Sequence, residues 1–286
     1  MLLLISPNHF ATNYEALETN TFMTSSKEAI EEQAFLEHNG LIQELSKHNI
    51  DFMLYENLNP KTPDALFANN WITVHHSINK IILYPMFLEN RRLEVRNDIV
   101  KDLCQIYTSL KVHDLRDNSN KALEGTGSMV FDHQEKLIYA AISKRTSRSV
   151  LQHVSKLLNY KIVPFYTEYK KCPIYHTNVM MAIGKTWVVV CTEVIDSFDK
   201  KDIINTIIAS KKYLIEVTIS QMEAYCCNIL EVYNRDGIPY TVMSEKAKNA
   251  FSKEQLEILG NIIAVPFDTI ETYGGGGVRC CLTEIE

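Results

Sequence analysis

At 286 residues, 46% of them hydrophobic and 22% charged, the chain has the composition of a globular protein that can bury a sizeable core. Its 29 basic and 35 acidic side chains leave a net charge of -6, with no basic stripe to neutralise phosphates, which argues against a nucleic-acid partner. No segment approaches the roughly 20 apolar residues of a membrane helix, and the apolar run at 1–5 is too short for a signal peptide, so a cytoplasmic protein with no membrane partner is expected.

In chain order, residues 2–5 read as a short strand, 28–47 as an amphipathic helix and 50–55 as a second strand. A unit of about fifty residues then recurs, each copy holding two short strands, a helix and a closing strand. In the first copy these are 71–80 continuing to 84, 93–110 and 112–115. The second copy has 129–131, 137–142, 147–158 and 161–165. The third has 179–183, 187–191, 200–211 and 214–217, and the fourth 229–232, 238–243, 253–259 and 262–265. A fifth copy is complete only if a strand at 278–282 joins the elements at the start of the chain. An open array would need polar caps, so recombining ends point to a closed ring of ββαβ units. No composition break or linker divides the chain, and one domain over 1–286 is expected. A doubly wound α/β sheet is the competing architecture, weakened by the lack of a glycine-rich strand-to-helix fingerprint.

Seven cysteines (104, 172, 191, 226, 227, 280 and 281) are an odd number without CxxC spacing, as expected of free thiols. Cys172 and His176 lack two further ligands for a metal, so neither a metal nor another cofactor is expected. Glu124, His176 and Cys280 stand out because each falls at the same point of its copy, just before or on the first strand, with separations of 52 and 104 residues. Ring closure would bring them to one axis. A thiol after four glycines, a histidine to move protons and a carboxylate to orient the imidazole make a plausible nucleophilic site. Cys281 is the alternative nucleophile, expected to point to the opposite face of the strand, and a buried structural cysteine is the alternative to both.

At these residues the sequence resembles the guanidine-modifying superfamily of arginine deiminases, dimethylarginine hydrolases and amidinotransferases. The resemblance rests on Asp64-Ala-Leu-Phe-Ala-Asn69-Asn70, Arg91-Arg92-Leu-Glu94, Leu123-Glu-Gly-Thr-Gly127, Ser143-Lys-Arg-Thr-Ser147, His176-Thr-Asn178 and the run from Gly274 to Cys280. It implies a five-bladed α/β propeller with Cys280 as nucleophile, His176 as general acid and base, and Glu124 as the orienting carboxylate. It further implies that Arg145 and Arg91, with Arg92 as the alternative to Arg91, hold the α-carboxylate of a small amino acid substrate while Asp64 faces the α-ammonium. A homo-oligomer is compatible with the resemblance.

Three departures bear on the substrate. Deiminases have an acid where this chain has Asn70, dimethylarginine hydrolases a second acid where it has Asn69, and deiminases His-x-Asp where it has Asn178. Carboxylates only accept hydrogen bonds and suit a guanidinium, whereas amides both donate and accept and suit a neutral ureido group. This pattern is similar to the citrulline hydrolase branch, which Pro7-Asn-His-Phe10 and Pro85-Met-Phe-Leu-Glu-Asn-Arg-Arg92 also resemble. The implied reaction forms an S-carbamoyl enzyme, releases ornithine, and hydrolyses the carbamoyl group to carbon dioxide and ammonia, with N–H groups of residues 274–277 as candidate oxyanion donors. An arginine-type deiminase, dimethylarginine hydrolase or amidinotransferase is the alternative, and a silent propeller used for binding is the alternative from another class.

Overall fold

A computed structural model describes residues 1–26, 28–116 and 121–285. Among them, short strands form five three-stranded sheets, each the inner part of one blade of an α/β propeller. The first complete blade holds β3 (Ile72–His75), β4 (Lys80–Leu83) and β5 (Lys111–Asp114). The second has β6 (Val130–Asp132), β7 (Leu137–Ala141) and β8 (Lys161–Phe165), and the third β9 (Met181–Ile183), β10 (Trp187–Val190) and β11 (Tyr213–Glu216). The fourth has β12 (Leu230–Tyr233), β13 (Pro239–Ser244) and β14 (Ile262–Val265). In each, the first two strands pair antiparallel and the last two parallel, for example Ile72 opposite Leu83 and Ile81 beside Val112. The parallel step requires a crossover, which a helix supplies.

The fifth blade joins the two ends of the chain: β1 (Leu2–Ile5) lies between β2 (Phe52–Tyr55) and β15 (Thr283–Glu284). Leu2 pairs with Glu284 and Leu3 with Thr283. The expected strand at 278–282 is not there, because Val278–Cys281 is a 3₁₀ turn and the pairing strand starts two residues past it. The preceding glycines explain the difference: Gly275 has φ +65°, and the Cys280 N–H donates to Gly277 O at 3.0 Å, so the chain turns before it can pair. Cys281 therefore reaches the apolar core from a turn, without the alternation of a strand.

Helices cover the outside of the blades. The crossover helices run over Glu31–Lys47, Asn97–Ile106, Arg148–Leu158, Ser197–Ala209 and Lys253–Leu259. The second is shorter than the expected 93–110, ending before Tyr107, which leaves the helical region, and a separate one-turn helix, Glu89–Arg92, precedes it. Local signals set several ends: Ser252 and Gln255 form a capping box, and Asn159 ends its helix in the left-handed region at φ 56°. The central strands are buried on both faces, as β1 and β10 are throughout, while the outer β2 is only partly covered. Among the described residues, no helix is long and apolar enough to cross a membrane.

The terminal blade gives a test of where stability resides. Leu41, fully buried on Glu31–Lys47 against the core of that blade, should cost about 2–5 kcal/mol when changed to alanine. Leu36, exposed on the same helix, should cost about 0.5 kcal/mol or less. Urea denaturation of the two variants checks the contrast.

Candidate active site

Glu124 has no exposed surface, so its charge must be met where it sits. Its Oε1 accepts the Phe87 N–H at 2.9 Å, and its Oε2 meets His176 Nε2 at 2.7 Å and Arg145 Nη1 at 3.4 Å. Burial alone would raise its pKa, but the Arg145 charge, the His176 hydrogen bond and the Arg91 charge hold it well below the usual carboxylate range. An ionised carboxylate only accepts, so Nε2 of His176 carries the proton and Nδ1 keeps a lone pair. Burial lowers the His176 pKa to about 4, against the raising effect of Glu124, and the imidazole is neutral at pH 7.

The Gly125-Thr-Gly127 bend permits this approach. Gly125 has φ +42°, and a Cβ there would lie 2.1 Å from Asn69 O. A Cβ at Gly127 would lie 2.8 Å from His176 Nδ1 and 2.6 Å from Asn70 Nδ2. Ser128 ties the turn to its own blade, its Oγ donating to Arg145 O at 2.6 Å, while Thr177 of the next blade donates through Oγ1 to Ser128 O at 2.6 Å.

Cys280 lies across the cavity from this group, on the turn after the glycines. Its Sγ accepts from Asn228 Nδ2 at 3.3 Å and Asn178 Nδ2 at 3.6 Å. Burial pushes its pKa up, and the Asn228 hydrogen bond, the Arg279 charge and the Asn178 hydrogen bond oppose the rise. Cys281 is fully buried in the terminal core, and burial raises its thiol well above the ordinary value. Gly275 N–H donates to Glu271 O at 3.1 Å, so this member of the glycine run is already committed and cannot serve an oxyanion.

The arginines differ in what they have left to offer. Arg91 is buried and bidentate to Glu94 at 2.8 and 2.9 Å, with Nη1 on Asn70 Oδ1 at 2.8 Å and Nη2 on Phe67 O at 3.4 Å. Burial works against its charge, but the Glu94 charge and hydrogen bond outweigh it and raise the pKa. Arg92 is on the surface, bound to Met86 O at 3.0 Å, so Arg91 is the one that faces the site. Arg145 lies over the Tyr175 ring at 5.0 Å, donates to Thr19 Oγ1 at 2.7 Å, and has a buried Nε without a partner. It therefore keeps donors for an anion, whereas most of the Arg91 fork is occupied.

Asp64 Oδ2 accepts from Asn13 Nδ2 at 2.6 Å, and its buried Oδ1 has no partner. Asn70 Nδ2 donates to Asn69 Oδ1 at 3.0 Å, and Asn69 Nδ2 to Thr126 Oγ1 at 3.1 Å. Asn69 thus supports Asn70 from behind, while Asn70 lines the cavity. Asp64, Asn70, Arg91, Arg145, His176 and Cys280 share one small cavity of about 20 Å³, room for one or two waters. Ala16 and Asn20 cover it, Asn20 Nδ2 donating to Gly275 O at 3.2 Å. A larger cavity of about 240 Å³ opens elsewhere, among β6, β9 and β12, where Asn178 and Arg279 reach its wall. The reacting groups converge in the smaller one, which makes it the candidate site.

Asn13, Asn20, Tyr175 and Asn228 join the site without a motif of their own in the sequence. Asn13 and Asn20 lie in a segment with no periodic signal. Asn228 had one: it falls 52 residues after His176 and 52 before Cys280, at the equivalent point of the fourth blade.

The family profile described as N,N dimethylarginine dimethylhydrolase, eukaryotic, matches residues 6–286. The chain belongs to that family. It is thereby a member of the guanidine-modifying superfamily, whose enzymes include hydrolases of guanidino compounds. Apo ArgZ, an arginine dihydrolase from the ornithine–ammonia cycle in cyanobacteria, shares the fold at TM-score 0.79 and 18% identity, over 99% of this chain and 40% of that one. The chain therefore spans less than half of the full-length neighbour. Against the N-terminal domain of ArgZ holding its product, the TM-score is 0.80 at 18% identity, over 100% and 97% of the two chains. Dimethylarginine hydrolase from Pseudomonas aeruginosa with citrulline bound gives 0.71 at 17% identity, over 99% and 97%. No curated protein matches in sequence.

In this family member the free thiol is held protonated, which fixes the direction of its pH response. The Cys280 thiol lies above its ordinary value of 9.0, so the thiolate fraction, and with it the rate of alkylation, should climb with pH through and beyond that value. Cys281 should stay unlabelled while the protein is folded. Iodoacetamide labelling followed by peptide mass spectrometry across pH checks both.

Proposed function

We propose that the chain hydrolyses the ureido C–N bond of citrulline to ornithine, carbon dioxide and ammonia through a covalent intermediate on Cys280. The observation that carries this reading is the orientation of Asn70. Its Oδ1 is held by Arg91 at 2.8 Å, and one Nδ2 proton is given to Asn69 at 3.0 Å. Asn70 is left with an N–H donor to present, which suits the C=O of a ureido group and opposes a guanidinium, which has only donors.

Charge supports the same choice. Glu94 is committed to Arg91 and Glu124 to His176 and Arg145, so Asp64 Oδ1 is the carboxylate oxygen left unpartnered in the group. Citrulline brings one cation, its α-ammonium, to that oxygen, and its α-carboxylate to the spare donors of Arg145. Arginine would bring a second cation with no second acceptor, and a buried unpaired charge costs several kcal/mol.

The chemistry follows from the protonation states. Neutral His176 takes the Cys280 proton at Nδ1 as Sγ adds to the ureido carbon, and Glu124 stabilises the resulting imidazolium. The imidazolium then protonates the departing δ-nitrogen, and ornithine leaves. Water, deprotonated by the same nitrogen, attacks the S-carbamoyl carbon; the thiol is restored and carbamate decomposes to carbon dioxide and ammonia. Citrulline exceeds about 20 Å³ many times over, so its entry must displace the Ala16 and Asn20 cover.

The second reading, hydrolysis of arginine or a methylated arginine, is favoured by the family name and by the same unpartnered Asp64 oxygen, which could take a guanidinium. Assays of ornithine, citrulline and ammonia from citrulline, arginine and dimethylarginine separate the two. Ornithine from citrulline, with the other two substrates consumed far more slowly, is the expected result. Asn70→Asp should lower kcat/KM for citrulline by about tenfold, the worth of one hydrogen bond to the reacting group, while strengthening arginine binding. Wild-type preference for arginine, or no shift between substrates in the variant, would reject the ureido reading.

A further inference from the structure

We infer that Asn228 is a catalytic residue of the Cys280 site, its side-chain amide donating to Sγ and stabilising the negative charge that the sulfur takes on when its proton leaves. The period of the fold puts it there. Glu124, His176, Asn228 and Cys280 follow one another at equal intervals of 52 residues, so the fourth blade contributes a group to the axis as the second, third and fifth do.

The orientation of the amide is decided by its second contact. Asn228 Nδ2 lies 3.1 Å from the backbone oxygen of Asn178, which can only accept, so the atom facing it is the nitrogen. That same nitrogen lies 3.3 Å from Cys280 Sγ, and its other proton is directed there. An N–H aimed at sulfur favours thiolate over thiol. The backbone locks the arrangement: Asn228 N–H donates to Tyr225 O at 2.8 Å, and its carbonyl accepts the Arg279 N–H at 3.4 Å, one residue from Cys280. Its Oδ1 is buried and unpartnered, and a Cβ on Gly277 would come within 2.8 Å of it, which the glycine avoids.

The other titratable groups around the sulfur do not replace this donor. Arg279 is turned to Leu282 O at 2.6 Å and Glu284 at 3.0 Å, so its charge acts only through space. Cys281, Tyr175 and Tyr225 are raised by burial and stay neutral, and His176, lowered to about 4, is neutral as well. Asn178 donates from 3.6 Å and is the weaker of the two amides. As the proton moves to His176, Asn228 stabilises the charge developing on sulfur during attack and again when the sulfur departs from the carbamoyl carbon.

The proposal bears on the thiol and is tested without any substrate, so it stands or falls separately from the citrulline reading on which its catalytic consequence rests. Asn228→Ala and the isosteric Asn228→Asp are compared with the unsubstituted chain for iodoacetamide alkylation of Cys280 across pH, read at the peptide level, with melting curves to establish folding. The expected result is about a tenfold slower alkylation at neutral pH in Asn228→Ala, a larger loss in Asn228→Asp, and a titration limb moved to higher pH in both. For the enzymatic reaction kcat should fall with little change in KM. Folded variants with the wild-type alkylation profile, or loss of folded protein in both, would overturn the proposal in favour of a packing role.

Discussion

A carboxylate sealed from water at the propeller axis sets the terms for everything around it. Glu124 needs His176, Arg145 and the Phe87 N–H because an ionised group in that position has no solvent to turn to, and removing one partner of such a buried pair costs about 3–5 kcal/mol. Its demand for donors fixes the imidazole tautomer and so leaves the free lone pair on Nδ1, not Nε2. It also draws the Arg145 side chain inward and forces glycine at 125 and 127, where any Cβ would collide with Asn69 or His176. The stability of this group and the geometry of the candidate site draw on the same contacts.

A second buried pair shapes recognition. Arg91 and Glu94 neutralise one another, and the guanidinium uses a further donor to hold the Asn70 carbonyl. An arginine that resembles a substrate clamp in sequence thus becomes the residue that orients an amide. Arg145, by contrast, retains a buried Nε donor that is still unpaired. The closed cover over this group, with Asn20 and Tyr175 both bound to Gly275 O, leaves little room for water beside Cys280 and His176.

The ring itself brings these groups together. Each catalytic candidate comes from the turn ahead of an inner strand, and each blade is covered by its own crossover helix. The fifth blade exists because β15 pairs with β1 across the whole length of the sequence, and that pairing positions the turn bearing Cys280.

The sequence by itself determined the repeat, the blade composition and the shared register of Glu124, His176 and Cys280, because strand patterning and a 52-residue period are local signals written at regular intervals. Most strands and helices lie within a few residues of where periodicity puts them. The strand expected at 278–282 does not form because four glycines make a turn as accessible as a strand, and only the partner strand decides where pairing starts. The choice between Arg91 and Arg92, the engagement of Arg91 by Glu94, the fixed carbonyl of Asn70 and the contacts of Asn13 and Asn20 were decided by tertiary structure alone. Each depends on which donor meets which acceptor once the chain is folded, from Arg91 and Glu94 in one turn to Asn20 and Gly275 at opposite ends of the sequence, and a side-chain amide has no set direction until its neighbours are in place.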